Sequence, residues 1–169
     1  FAGQLMTRCL IGDAGGQLWY LRFNGPNPSK WTLEFFHDAY AKPIESTTLA
    51  MDDSRRRPVW EEPGIALSND NSGRLIVAYH TSRVEDTGEL DLLPARLISV
   101  TETSVFRTSG EVDIYGTLNW FKRFDEDERI TLTGAPLLFN QTVFQSTFSA
   151  TDANVCGLGT GQIWALDYD

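Results

Sequence analysis

Two stretches near opposite ends of the chain read alike. Gly12-Asp13-Ala14-Gly15-Gly16-Gln17-Leu18-Trp19-Tyr20-Leu21-Arg22-Phe23 is echoed by Gly157-Leu158-Gly159-Thr160-Gly161-Gln162-Ile163-Trp164-Ala165-Leu166-Asp167-Tyr168. Each is a glycine turn, then Gly-Gln, an aliphatic residue, Trp, a variable residue and Leu. Glycine reaches backbone angles that other residues avoid, and the residues after it alternate as a strand does. Such an echo restricts the fold to architectures built from copies of one unit, and the separation suits two or three units of about 40–50 residues, the size of a propeller blade.

Intermediate copies support that count. Gly64-Ile65-Ala66-Leu67-Ser68-Asn69 followed by Leu75 to Thr81 resembles Gly134-Ala135-Pro136-Leu137-Leu138-Phe139-Asn140 followed by Thr142 to Phe148. Both are an apolar strand, a turn opened by Asn, and a second strand rich in β-branched and aromatic residues. Ala95 to Thr101 stands where the Gly-Gln-aliphatic-Trp strand falls in the middle unit. The expected fold is therefore all-β: a partial β-propeller of two to three blades, each a four-stranded antiparallel sheet, belonging to a larger ring.

At 169 residues, 41% of them hydrophobic and 12% aromatic, the chain has the makings of a globular core. Its net charge of −9 argues against a nucleic-acid groove or an anionic membrane surface, both of which favour clustered Lys and Arg. No apolar run is long enough to span a bilayer, and no basic, apolar leader opens the chain. Phe1 is not a start methionine. Two and a half blades cannot close a ring and would leave sheet faces and edges open, so a fragment of a longer polypeptide is expected, with the remainder of that polypeptide as its natural partner.

Taken in order, residues 1–36 form the first unit: a hairpin through the Gly12-Asp13-Ala14-Gly15-Gly16 turn, a stop at Asn24-Gly25-Pro26-Asn27-Pro28, and an outer strand from Trp31. Residues 37–57 read as an irregular connection ending in the basic triplet Arg55-Arg56-Arg57, expected to lie wet on the surface. The second unit is 58–124 and the third 131–169. Thr117 to Phe124 carries aromatic residues on both faces, suited to packing between blades. No stretch keeps a helical period.

Candidate sites are few. Asn69, Asp70, Asn71 and Gly73 offer the oxygen donors a calcium loop wants, but a turn uses the same residues for their backbone tolerance, and the turn is the expected reading. Glu85, Asp86, Glu89 and Asp91 form a second acidic loop, and Asp125 to Glu128 a third; a solvated charge run explains both. Cys9 and Cys156 precede the two echoing strands, and blades two steps apart would hold them beyond the roughly 7 Å span of a disulfide, so their partners are expected in other sequence or nowhere. His37 and His80 are the only histidines, with no nucleophile elbow and no metal-spaced pair. His80 reads as an interfacial residue. No catalytic residue and no cofactor is expected.

The order of elements resembles the C-terminal β-propeller of the PilY-type proteins, tip-associated adhesin and biogenesis factors of bacterial type IV pili. The likeness runs through Gly-Asp-x-x-Gly-x-Leu-Trp at Gly12, Asp13, Gly16 and Trp19, through Trp120, Glu128, Arg129, Gly134 and Pro136, and through the aromatic-Thr strand before the turn of Cys156 and Gly157, with Gly161 and Trp164 following. The resemblance implies a structural module, exported through the periplasm to the pilus tip, with minor pilins and a host or abiotic surface as partners. Asp127 stands where the family has glycine, which touches only a turn. Ahead of the Gly-Asp turn, Gly3 to Arg8 lacks any carboxylate, so the calcium loop of some members is not carried over and calcium, if bound, belongs elsewhere in the full-length protein. Two other readings stand beside it: a quinoprotein dehydrogenase propeller, whose Gly-x-x-x-Trp spacing is one residue longer than Gly16 to Trp19 or Gly161 to Trp164, and a self-contained β-sandwich binding domain.

Overall fold

Ten strands follow from the alternating stretches, in a computed structural model that describes residues 7–40, 56–70, 72–81, 94–124, 130–149 and 159–168. β1 (Arg8–Gly12), β2 (Gln17–Arg22) and β3 (Thr32–Asp38) form the first sheet. β4 (Gly64–Leu67), β5 (Leu75–His80), β6 (Ala95–Phe106) and β7 (Val112–Phe124) form the second, and β8 (Ile130–Phe139), β9 (Thr142–Ser149) and β10 (Thr160–Asp167) the third. Every neighbouring pair is antiparallel and consecutive in the chain, so each sheet is a meander. Among the described residues the only helical turn is the short 3-10 turn Pro28–Lys30. The chain is all-β.

The period of two decides how the sheets meet. Along β5, Val77 and Tyr79 turn to one side and Ile76, Ala78 and His80 to the other, and all five are buried. A strand buried on both faces needs a layer against each. The first sheet supplies one: Leu18, Tyr20, Phe36 and Tyr40 pack with Val77, Tyr79, Ile98 and Val100. The third supplies the other: Leu132, Val143 and Tyr168 pack with Ile76, Ala78, Leu97 and Phe124. Three sheets stand in series with two cores between them, one sheet more than a sandwich contains. β3 lies against β7, and β4 against β8.

Three irregularities aim side chains at the neighbouring sheet. On β3, Trp19 pairs with Phe35 and Leu18 with His37, leaving Phe36 as an extra residue; the resulting bulge sends both Phe36 and His37 inward. On β7, Ser99 pairs with Trp120 and Val100 with Leu118, which frees Asn119 in the same way. On β8 the ladder breaks between Thr133 and Leu137, around Gly134 at φ 67°. The β8–β9 hairpin turns through Asn140 and Gln141 at φ 48° and 64°, the left-handed pair that a two-residue turn of this hand requires.

Several expectations change. The four-stranded plan holds in the second sheet, while the first and third each have three strands among the described residues. His37 lies inside β3 and not in a connection. Two residues of the basic triplet are not on a wet surface: Arg57 is buried, and Arg56 pairs with Asp38 at 2.9 Å with little exposure of either side chain. The carboxylate at the end of β3 draws that arginine down onto the sheet. Arg55, Asn71, Glu85, Asp86, Glu89, Asp91, Glu128, Arg129, Cys156 and Gly157 lie outside the described residues.

Candidate functional site

The glycine turn of the first sheet is a clamp built on Asp13. One carboxylate oxygen accepts from the Gly15 and Gln17 amides at 2.8 and 2.9 Å, and the other from the Trp19 indole at 2.8 Å. The turn also holds the chain on its way to the second sheet, since the Val59 amide donates to the Asp13 carbonyl at 2.9 Å and the Ala39 amide to the Gly16 carbonyl at 3.0 Å. Two glycines make room for this crossing. A Cβ on Gly12 would stand 2.5 Å from the Val59 carbonyl oxygen, and one on Gly16 2.8 Å from that of Arg57, with Gly16 already at φ 79°.

The echoing segment is used differently at its start and alike at its end. Gly161 lies within β10 and a Cβ there would come no closer than 3.9 Å to the Thr147 carbonyl oxygen, so glycine is not required by space. Trp164 faces the second sheet, donating from its indole to Thr147 Oγ1 at 3.1 Å and meeting Phe124 edge to face at 5.7 Å, with the Lys122 ammonium 4.3 Å from its ring centre. Trp19 points the other way, out from the stack, beside Phe35 at 5.8 Å. Leu18 is wholly buried against the second sheet, whereas Ile163 is 78% exposed on the outer side of the third. In both segments Trp faces the preceding side of its sheet and the aliphatic residue the following side.

Polar seams tie the sheets together. Between the second and third, the Trp120 indole donates to the Asp167 carbonyl at 2.7 Å, and Asn119 donates to Ser99 Oγ and to the Tyr168 carbonyl, both at 3.1 Å. The Ser99 hydroxyl donates to that same carbonyl. His80 Nε2 donates to the Gly134 carbonyl at 3.0 Å, and within the third sheet the buried Gln145 amide donates to the carbonyls of Thr133, Gly134 and Ser146 at 3.0–3.2 Å. Pro136 is buried beside Gly64, whose missing Cβ leaves space for the Pro136 carbonyl. Gly134 and Pro136 thus shape a kink in β8 whose freed carbonyls are taken up by His80 and Gln145.

Between the first and second sheets, His37 Nδ1 and the Tyr79 hydroxyl share a hydrogen bond at 2.6 Å. Burial pushes the His37 imidazole down to about 4, with Asp38 opposing the shift, and the same burial lowers His80 and raises the Tyr79 phenol. Arg96 is held between the Tyr40 and Phe121 rings, 4.7 and 5.0 Å from their centres, and donates to the Ala39 carbonyl at 2.6 Å. At the opposite end, Arg8 reaches Glu102 at 3.2 Å, and Glu102 also accepts from the Leu75 amide. Both histidines therefore spend a ring nitrogen on joining sheets, which is a structural use of titratable groups.

The loop after β4 behaves as a turn. Asp70 accepts from the Ser72 amide and hydroxyl and pairs with Arg74; hydrogen bonds from Ser72 and then Arg74 hold its carboxyl below the usual range. Among the described residues no three His, Cys, Asp or Glu side chains converge. Cys9 lies on β1 with its thiol turned to the Leu10 carbonyl. The residues that sequence reasoning passes over are those of the seams: Asn119 and Phe36 depend on bulges, Gln145 on the kink opposite it, and Arg96 on two rings from distant strands. Of the seam residues, His80 carried a signal as an imidazole ending an apolar strand, and Trp120 and Gly134 as members of the ordered motifs.

Among the described residues, two outer sheet faces carry exposed apolar side chains. The outer side of the first sheet shows Leu33 and Phe35 at 59% and 47% exposure beside Trp19, and that of the third shows Leu137, Phe139 and Ile163 at 62%, 70% and 78%. No helix among the described residues is long and apolar enough to cross a membrane. No family model, curated protein or solved structure matches the chain.

Proposed function

We propose that this chain is a structural and binding module, two to three consecutive blades of a β-propeller of the kind found at the tip of type IV pili. One observation carries the blade reading. The second sheet has its strands in the order first to fourth, with β8 against its β4–β5 edge and β3 against β7. First strand then lies on first and fourth on fourth, which makes β1–β3 the second to fourth strands of one blade and β8–β10 the first to third of another. β2 and β10, the two echoing segments, are both third strands, and both turn Trp to the same side of the blade. Independent copies placed at random would not agree in strand number and in facing.

The module's work is mechanical: a rigid stack, locked by hydrogen bonds at each seam, presents loops to minor pilins and to a host or abiotic surface. The pilus assignment rests on the ordered motifs at Gly12 to Trp19, Trp120, Gly134 and Pro136 and implies an exported protein whose ring is completed by other blades. Its test is localisation. Antibody against the chain should label the ends of sheared pili, and a fractionation that leaves the polypeptide in the cytoplasm with no filament-associated pool would overturn the assignment.

A further inference from the structure

We propose that the outer edge of β7 is a strand-addition site, and that it takes an extended protein segment alternating apolar and basic side chains. On the blade reading above, on which this inference rests, β7 is a fourth strand at the perimeter of the ring, where further blades leave its edge uncovered.

The ladder shows which groups are free. β7 ends the second sheet, with β6 on one side and no strand on the other. At the hairpin tip the Arg107 amide donates to the Glu111 carbonyl at 2.8 Å, and bonded and unbonded pairs alternate from there along an antiparallel ladder. Asp113, Tyr115 and Thr117 therefore spend their backbone groups on β6, in the pairs with Val105, Thr103 and Thr101. The N–H and C=O groups of Val112, Ile114, Gly116 and Leu118 point the other way. The bond from the Thr81 amide to the Arg96 carbonyl, at 2.9 Å, fixes the same phase from β5. Among the described residues nothing hydrogen-bonds to those outward groups.

An edge of this kind is a template for another strand, and the remaining edges are blunted or belong to their own blades. β3 carries the Phe36 bulge, β8 the Gly134 kink and Pro136, and β4 is four residues long. β1 and β10 are second and third strands, so their edges fall to strands of the same blade. From Val112 to Leu118, β7 has no proline, no lysine and no bulge.

The surroundings define the occupant. A groove of about 340 Å³ runs beside this edge, lined by Glu34 and Phe35 of β3 and by Asp113, Ile114 and Tyr115 of β7. Both faces of β7 contribute to it, as they must to a groove along an edge. Because side chains alternate along a strand, an added strand sets apolar side chains beside Ile114 and basic ones beside Asp113, with Glu34 across the groove. The chain's net charge of −9 draws a basic segment and repels a second copy of itself. Main-chain hydrogen bonds supply the affinity, and the alternate side chains the selectivity.

Amide exchange on the full chain tests this, with a seven-residue peptide alternating Lys and Val added up to about 1 mM. Exchange at Ile114, Gly116 and Leu118 should slow by about tenfold. A Glu–Val peptide, and the Lys–Val peptide N-methylated at every amide, should leave it unchanged. Leu118→Pro removes one outward donor and no bond to β6, and should largely remove the slowing at Ile114 and Gly116; Leu118→Ala keeps the donor and should retain it. Val112→Pro replaces Leu118→Pro if circular dichroism shows that variant unfolded. No slowing with the Lys–Val peptide, equal slowing with either control peptide, or slowing at β1 or β10 alone overturns the inference. So does slowing that follows protein concentration without peptide, which means that a second copy pairs there. Each of these results leaves the blade reading in place while the His37–Tyr79 and Phe124–Trp164 ring contacts persist; loss of those contacts contradicts the blade reading itself.

Discussion

The Asp13 carboxylate and the Trp19 indole are joined at 2.8 Å across the turn that opens β2, and the other oxygen of that carboxylate holds two backbone amides of the same turn. One side chain thereby fixes both the turn and the tryptophan on the open face. Asp13→Ala removes all three bonds and should cost about 2 kcal/mol in urea unfolding. Asp13→Asn keeps an oxygen for the amides and should lose less. Equal losses in the two would mean that the charge, and not the three-way geometry, matters.

The glycines of the two echoing segments should respond differently. Gly16→Ala combines a left-handed backbone with a contact on the Arg57 carbonyl, and a loss of about 2–3 kcal/mol is expected. Gly25 shares the positive φ in open space, so Gly25→Ala should cost only the conformational part, about 1 kcal/mol. Gly161→Ala should be near neutral, since a strand interior accepts alanine where there is room. Thermal unfolding of the three variants gives the order.

Acid should loosen the seam between the first and second sheets. His37 titrates near 4 in the folded chain against 6.5 for its ordinary value, so between those pH values the unfolded state binds more protons and stability falls as pH falls. The full effect amounts to about 3 kcal/mol for His37, and His80, lowered for the same reason, adds in the same direction. Chemical denaturation between pH 7 and pH 4 measures the slope. His37→Asn, which can still bond the Tyr79 hydroxyl, should flatten it.

Gln145→Leu tests the kink in β8. Its amide serves three carbonyls, of which that of Gly134 also receives His80 and that of Thr133 the Ser146 hydroxyl. Removing the buried amide should destabilise by about 1 kcal/mol, with exchange at the amides of β8 and β9 accelerating more than at those of β2. A uniform acceleration across all three sheets would show that the kink is not a local device.

How far this was legible in the residues differs by feature. A short apolar run bounded by turn residues, such as Leu75 to Tyr79, announces itself as a strand, and tight turns such as Asn140-Gln141 make consecutive pairing the natural order there. Bulges do not: an added Phe36 or Asn119 changes nothing in composition, and its effect appears only when a ladder is counted against its partner. Arg56 and Arg57 mislead for another reason. Three adjacent arginines read as solvated because the groups that meet Arg56, the Asp38 carboxylate and the Tyr40 ring, come from the end of β3 and just beyond it. The echo is informative through its tryptophan and aliphatic positions, and less so through its glycines, since Gly16 is constrained and Gly161 is not.

Serial stacking of the three sheets is most directly tested by through-space proton contacts in dilute solution. The series predicts contacts between the His37 and Tyr79 rings, 5.9 Å apart, and between Phe124 and Trp164, 5.7 Å apart, with none linking Phe35 to Ile163. Contacts between Phe35 and Ile163 within one copy would mean that the first and third sheets share a single interior, and would contradict the account.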